Sequence, residues 1–159
     1  MTISEGDKIP DVKLMWMTEK GVRPVQSTEV LGSGKVVLFA VPGAFTPTCS
    51  DYHLPGYVIR AEELRAKGVD KVACIAVNDA FVMDAWGNEQ GVGDDIVMIG
   101  DGNGQFAEAM GLVMDGSGFG LGKRSKRYAA IIEDGVITNL AVDDSGIDQS
   151  ACSNILSML

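Results

Sequence analysis

From Lys35 to Val41 the chain reads Lys-Val-Val-Leu-Phe-Ala-Val, an apolar run with no polar alternation. Such a run predicts a strand buried on both faces, as at the centre of a sheet. Val72 to Val77 is a second run of this kind and Ile96 to Ile99 a third. Pro42-Gly43 ends the first and Gly100-Asp101-Gly102 the last. Between them the period lengthens. After Cys49, residues Leu54, Val58, Ala61, Leu64 and Arg65 fall at helical spacing, with Pro55-Gly56 placed to kink or interrupt the helix and Gly68 to stop it. Asn78-Asp79 predicts a capped helix from Ala80 to about Glu89, and Gln105 to Met110 a shorter one. Upstream, Val12, Leu14 and Trp16 alternate, Glu19-Lys20-Gly21 offers a turn, and Val22 to Gln26 returns as a hairpin. Ser27 to Leu31 reads as one helical turn, opened by a Ser/Thr cap and closed by Gly32. Downstream, Tyr128 to Ile132 and Val136 to Val142 form a hairpin turned at Glu133-Asp134-Gly135, and a final helix runs from about Asp148 to Leu159. The glycine-rich stretch 111–122 reads as a loop.

Strands alternating with helices, then a hairpin and a helix, predict an α/β protein with a mixed central sheet flanked by helices. The order resembles a thioredoxin-like fold with an N-terminal β-hairpin extension. There is no internal repeat or low-complexity linker, and 159 residues suit a single domain spanning 1–159.

Charge and cysteine usage narrow the chemistry. A net charge of −9 argues against nucleic acid or an anionic membrane as partner, since phosphate binding wants a basic face. No apolar run approaches the roughly 18 residues that span a bilayer. The opening MTISEGDKIP lacks the pattern of a signal peptide, so the expected location is cytoplasmic. Three cysteines (Cys49, Cys74 and Cys152) without a CxxC do not read as a disulfide framework. With His53 the single histidine, no Cys/His zinc cluster is at hand. Neither metal nor cofactor is expected.

The segment Pro42-Gly43-Ala44-Phe45-Thr46-Pro47-Thr48-Cys49-Ser50 lies between a buried strand and a helix start. A cysteine there meets the positive end of the helix dipole and unpaired N–H groups, which favour the nucleophilic thiolate. Thr46, three residues earlier, can bring its hydroxyl to the same small volume. Pro42 and Pro47 stiffen the loop.

These residues resemble the active-site signature of the peroxiredoxins. The PxxxTxxC core is that of the whole family, and the GAFTPTCS wording that of its Prx5, or type II (atypical), subgroup. The resemblance continues through His53-Leu54-Pro55-Gly56-Tyr57, Ala76-Val77-Asn78-Asp79-Ala80-Phe81-Val82-Met83, Trp86 and Lys126-Arg127-Tyr128. It implies a thiol peroxidase that reduces hydrogen peroxide and organic hydroperoxides. Cys49 would attack the terminal peroxide oxygen and become a sulfenic acid. Thr46 would hydrogen-bond the thiolate and the incoming peroxide. Arg127 would stabilise the thiolate and the leaving oxygen, with Arg124 as the neighbouring alternative. Pro42 would shield the sulfur from water, and the N–H groups of Thr48 and Cys49 would line the oxygen path. The resemblance also implies a homodimer, with the loops at 42–49, 78–83 and 111–122 as its interface.

Several positions carry a second reading. His53, four residues after Cys49, is either the base of a Cys–His hydrolase or a packing and hydrogen-bonding residue near the site mouth. Cys74, in mid-strand, reads as a buried structural thiol. Cys152 lies where some subgroup members carry a resolving cysteine and others none. A one-Cys cycle, reduced by glutathione with glutaredoxin or by thioredoxin, is the expectation. A peroxide-sensing signalling protein with little turnover would use the same Cys49. Gly116-Ser117-Gly118-Phe119-Gly120 does not sit between a strand and a helix, so it reads as a loop and not as a phosphate cradle.

Overall fold

The computed structural model describes residues 2–159. In chain order its elements are β1 (Lys13–Thr18), β2 (Gly21–Gln26), α1 (Ser27–Leu31), β3 (Lys35–Ala40), a π-helical turn (Cys49–His53), α2 (Leu54–Ile59), α3 (Ala61–Ala66), β4 (Lys71–Ala76), α4 (Ala80–Gln90), β5 (Val97–Gly100), α5 (Gln105–Met110), β6 (Val113–Asp115), a 3₁₀ turn (Ser117–Phe119), β7 (Lys123–Ser125), β8 (Arg127–Glu133), β9 (Val136–Asp143) and α6 (Cys152–Met158). Seven strands form one sheet in the order β2-β1-β5-β4-β3-β8-β9. β3, β4 and β5 run parallel, and β1, β2, β8 and β9 pair antiparallel around them. This is the mixed sheet of a thioredoxin-like fold, with the N-terminal hairpin on one edge.

The two buried faces of β3 explain its unbroken apolar sequence. Val37, Phe39 and Val41 pack with Leu54, Tyr57, Leu64, Met83, Trp86 and Ile155 on one side of the sheet, and Cys49 lies in this layer. Val36, Leu38 and Ala40 face the other way, against Leu14, Leu31, Phe106 and Met110. Alternate residues of one strand thus serve two cores.

Topology decides where the site falls. β3 and β4 are parallel, so both deliver their C-terminal loops to one end of the sheet. β8 is antiparallel to β3 and pairs Tyr128 with Ala40, so Arg127 begins its strand where β3 runs out into Val41 and Pro42.

Local details differ from the sequence reading in four places. The helix after Cys49 does not yield at Pro55-Gly56. Pro55 sits in the first turn of α2, the preceding turn widens to π so that the Leu54 N–H donates to Cys49 O, and the break before α3 falls at Arg60. A proline that cannot bond backwards is accommodated by widening the turn ahead of it. Gln26, not Ser27, caps α1, because Ser27 is buried and its Oγ donates to Pro10 O. α6 starts at Cys152 and not Asp148, because the Asp143 carboxylate takes the N–H groups of Asp148, Gln149 and Ser150 into a tight loop. Within 111–122, β6 starts a small antiparallel ribbon with β7.

Candidate active site

The helical segment begins at Pro47, which puts Thr48 and Cys49 in its first turn, where N–H groups lack intrahelical partners. The Ser50 N–H donates to Thr46 O at 2.9 Å and closes that turn. Cys49 is fully buried. Its Sγ accepts from Arg127 Nη2 at 3.2 Å. Arg127 is itself only 8% exposed, unusual for arginine, so its charge is directed inward to the sulfur.

The second arm of the guanidinium is also engaged. Arg127 Nη1 donates to His53 Nδ1 at 2.9 Å. A guanidinium has no acceptor, so Nδ1 must be bare and the ring proton sits on Nε2. Nε2 donates to Ser150 O at 3.2 Å. The Tyr57 hydroxyl donates to the same carbonyl at 2.7 Å. Burial first, and the Arg127 charge second, push His53 down to about 4, so it is neutral at physiological pH. His53 is therefore an acceptor already occupied by Arg127 and not the base of a Cys–His pair. Behind it, Asp143 accepts from Ser150 Oγ at 2.6 Å and from three backbone N–H groups. Burial opposes the charge of Asp143, but these donors prevail and hold its carboxyl below the usual value.

The loop over the sulfur is fixed from several directions. The Ala44 N–H donates to Asn78 Oδ1 at 2.9 Å. Trp86 Nε1 donates to Ser50 Oγ at 2.9 Å. Thr46 Oγ1 gives its proton to Gly43 O at 2.7 Å, so towards the site this hydroxyl offers lone pairs, and no bond between it and Cys49 is formed among the described residues. Arg124 donates to Pro42 O at 3.3 Å and to Leu121 O at 3.0 Å; it braces the loop from outside while Arg127 meets the sulfur. A Cβ on Gly43 would come within 2.9 Å of Arg124 Nη1 and 3.0 Å of Thr46 Cγ2, so any larger residue here would have to displace the Arg124 side chain and crowd Thr46. Phe45 takes φ +63°, a strained value for an aromatic residue, and half its surface is exposed. A cavity of about 180 Å³, bordered by Pro42, Met114, Lys126, Arg127, Asp143 and Asp144, opens beside the start of β8.

The other two thiols are differently placed. Cys74 pairs beside Phe39 within the sheet, and complete burial pushes its thiol up. Cys152 is 3% exposed, and burial pushes it up to about 12. All three cysteines are free.

The redoxin family profile matches residues 4–156. Over 99% of its length the chain is 44% identical to Peroxiredoxin-2E, chloroplastic, of Arabidopsis thaliana, covering 70% of that protein. The chain belongs to the peroxiredoxins, within the redoxin family. This peroxiredoxin is also 41% identical to Peroxiredoxin-2B of Arabidopsis thaliana, over 99% of the chain and 98% of the relative. Among solved structures, reduced Prx3 of Vibrio vulnificus in complex with hydrogen peroxide superposes with a TM-score of 0.95 at 47% identity, covering 99% of each chain. The peroxiredoxin is of the type II (Prx5) subgroup and acts as a thiol-dependent peroxidase.

Sequence reading missed the His53–Ser150–Asp143 chain and the Asn78 brace. His53 carried a signal in its spacing from Cys49. Ser150 and Asp143 carried none, because a backbone carbonyl and a strand-end carboxylate leave no pattern in sequence.

Proposed function

We propose that Cys49 is the peroxidatic sulfur and that turnover needs no second cysteine of the chain. The observation that carries this reading is the 3.2 Å bond from Arg127 to Cys49 Sγ inside a water-poor site. The guanidinium's charge and donor complement the negative charge of the attacking thiolate. The thiolate attacks the terminal peroxide oxygen; a sulfur–oxygen bond forms, the O–O bond breaks, and the leaving alkoxide or hydroxide takes up a proton. Sulfur is oxidised to sulfenic acid and the peroxide reduced to alcohol or water. Arg127 steadies the charge on the leaving oxygen, the Thr46 hydroxyl accepts from the peroxide O–H, and the N–H groups of Thr48 and Cys49 line the oxygen path. Pro42 keeps water from the sulfur.

Return to the thiol then needs an external reductant. One thiol condenses with the sulfenic acid to a mixed disulfide and water, and a second thiol releases Cys49. Glutathione with glutaredoxin, or thioredoxin, fills this role in our reading. What supports a one-Cys cycle is the burial of Cys74 and Cys152, whose thiols are both pushed up and so poor nucleophiles at neutral pH. A homodimer is proposed through the segments bearing Phe45, Phe81 at the start of α4, and Phe119, all of them exposed. The proposed compartment is the cytoplasm, where three free thiols persist.

Cys→Ser substitutions at the three positions, assayed with each reductant, test this. Cys49→Ser should abolish turnover, and Cys152→Ser and Cys74→Ser should retain it. Loss of thioredoxin-dependent turnover in Cys152→Ser would make Cys152 the resolving thiol.

A further inference from the structure

We propose that His53 is a positioning residue for the peroxide step: it fixes Arg127 on the sulfur, and through Ser150 it ties that arginine to the loop between Asp143 and Cys152. The inference rests on the reading of Cys49 as the attacking sulfur. A guanidinium is a rigid plane, so holding one terminal nitrogen sets the direction of the other. Here Nη1 is held by His53 Nδ1 and Nη2 points to Sγ. The imidazole has its own anchor, because Nε2 donates to Ser150 O. Ser150 is held in turn by Asp143, which accepts from both its N–H and its hydroxyl, and by Tyr57, which donates to its carbonyl. Phe39 and Tyr57 pack on the ring at centroid distances of 5.2 and 5.7 Å. The groups that bear charge or titrate around the ring include Arg127 from β8, Asp143 from β9 and Tyr57 from α2, with Tyr52, Arg60 and Cys152 bordering the same cavity as His53. Among the described residues none of the hydrogen bonds of His53 is to the sulfur itself, so His53 acts through Arg127. If Ser150 moves, the ring loses its anchor and the guanidinium is free to turn off the sulfur.

Two near-isosteres separate the functions of the two ring nitrogens. Asparagine offers an oxygen near the Nδ1 position and keeps the acceptor for Arg127. Glutamine carries an N–H to the Nε2 position, keeps the bond to Ser150, and has nothing at the Nδ1 position. The rate of Cys49 oxidation by hydrogen peroxide can be followed by stopped-flow fluorescence of Trp86, which hydrogen-bonds Ser50 beside the cysteine. His53→Gln should slow this step about tenfold and His53→Asn about threefold. Reduction of the oxidised enzyme by its thiol should change in neither, whereas general loosening of the fold would move both half-reactions. Glutamine as fast as asparagine would overturn the proposal.

Asp143→Ala provides a test that leaves position 53 intact and stands even if His53→Gln fails to fold. It should slow oxidation about threefold in the native background and add nothing to His53→Asn, where the link to Ser150 is already cut. Multiplying effects in the double variant would overturn the coupling. The Cys49→Ser variant keeps the two levels apart: if it still consumes peroxide, the underlying reading of Cys49 fails, and if it is inactive while glutamine and asparagine behave alike, only the role of His53 fails.

Discussion

His53 and Arg127 make opposite demands on solvent, and each meets them through the other. An imidazole buried beside a guanidinium cannot accept a second positive charge, so His53 titrates at about 4 in the fold against 6.5 when exposed. Between those values the unfolded chain binds a proton that the native chain refuses. Stability is therefore full above about pH 6.5 and declines as pH falls toward 4, by about 3 kcal/mol for this one group. Urea unfolding at pH 7.5 and 4.5 should show the decline, and His53→Asn should reduce it; equal slopes in the two proteins would mean that other groups carry the acid sensitivity. In the proposed mechanism Arg127 has the larger kinetic role. Arg127→Met should lower the second-order rate constant for peroxide by about a hundredfold, measured by competition against a reference peroxidase. A loss no greater than that of Arg124→Met would mean that the charge at the sulfur is not what drives the step.

At the scale of elements, the site depends on where strands end and helices begin. Asp79 caps α4 by accepting from the Val82 N–H at 2.8 Å, and the preceding Asn78 holds Ala44 of the cysteine loop. Asp79→Ala should cost about 1 kcal/mol in stability, read from the midpoint of chemical unfolding, with the active site otherwise intact. This helix start was legible in sequence because Asx caps are local, as were the central strands, whose double burial writes itself as an unbroken apolar run. The cysteine loop was legible through its prolines, threonine and cysteine, and Arg127 through the resemblance of its surroundings to a family. What escaped were features set by contacts distant in sequence or by local geometry that residue types leave open. The π turn answers Pro55 locally, yet nothing in the residues distinguishes a widened turn from a kink. The late start of α6 depends on Asp143 capturing three N–H groups that a helix would otherwise have to cap. The β6–β7 ribbon is written in glycines, which mark turns without saying what they join.

For the whole molecule, the arrangement places the Cys49 sulfur in the buried layer of the core and brings Arg127 to it from β8, the strand paired with β3. Because β8 is antiparallel to β3, one register pairing, Ala40 with Tyr128, sets the guanidinium at the mouth of the loop. The aromatic side chains left uncovered near this end include Phe45 and Phe81, exposed by 52% and 66%. In the proposed dimer they are buried, so Phe81→Asp should shift sedimentation from dimer to monomer at micromolar concentration, and an unchanged coefficient would place the interface elsewhere. The peroxidase reading comes down to one atom. Mixing the reduced protein with one equivalent of hydrogen peroxide, quenching in a time series and locating the added oxygen by peptide mass spectrometry tests it most directly. A single oxygen is expected on the Cys49 peptide, appearing at the rate at which peroxide disappears and absent in Cys49→Ser. Oxygen appearing first on Cys74 or Cys152, or peroxide disappearing at an undiminished rate in Cys49→Ser, would contradict it.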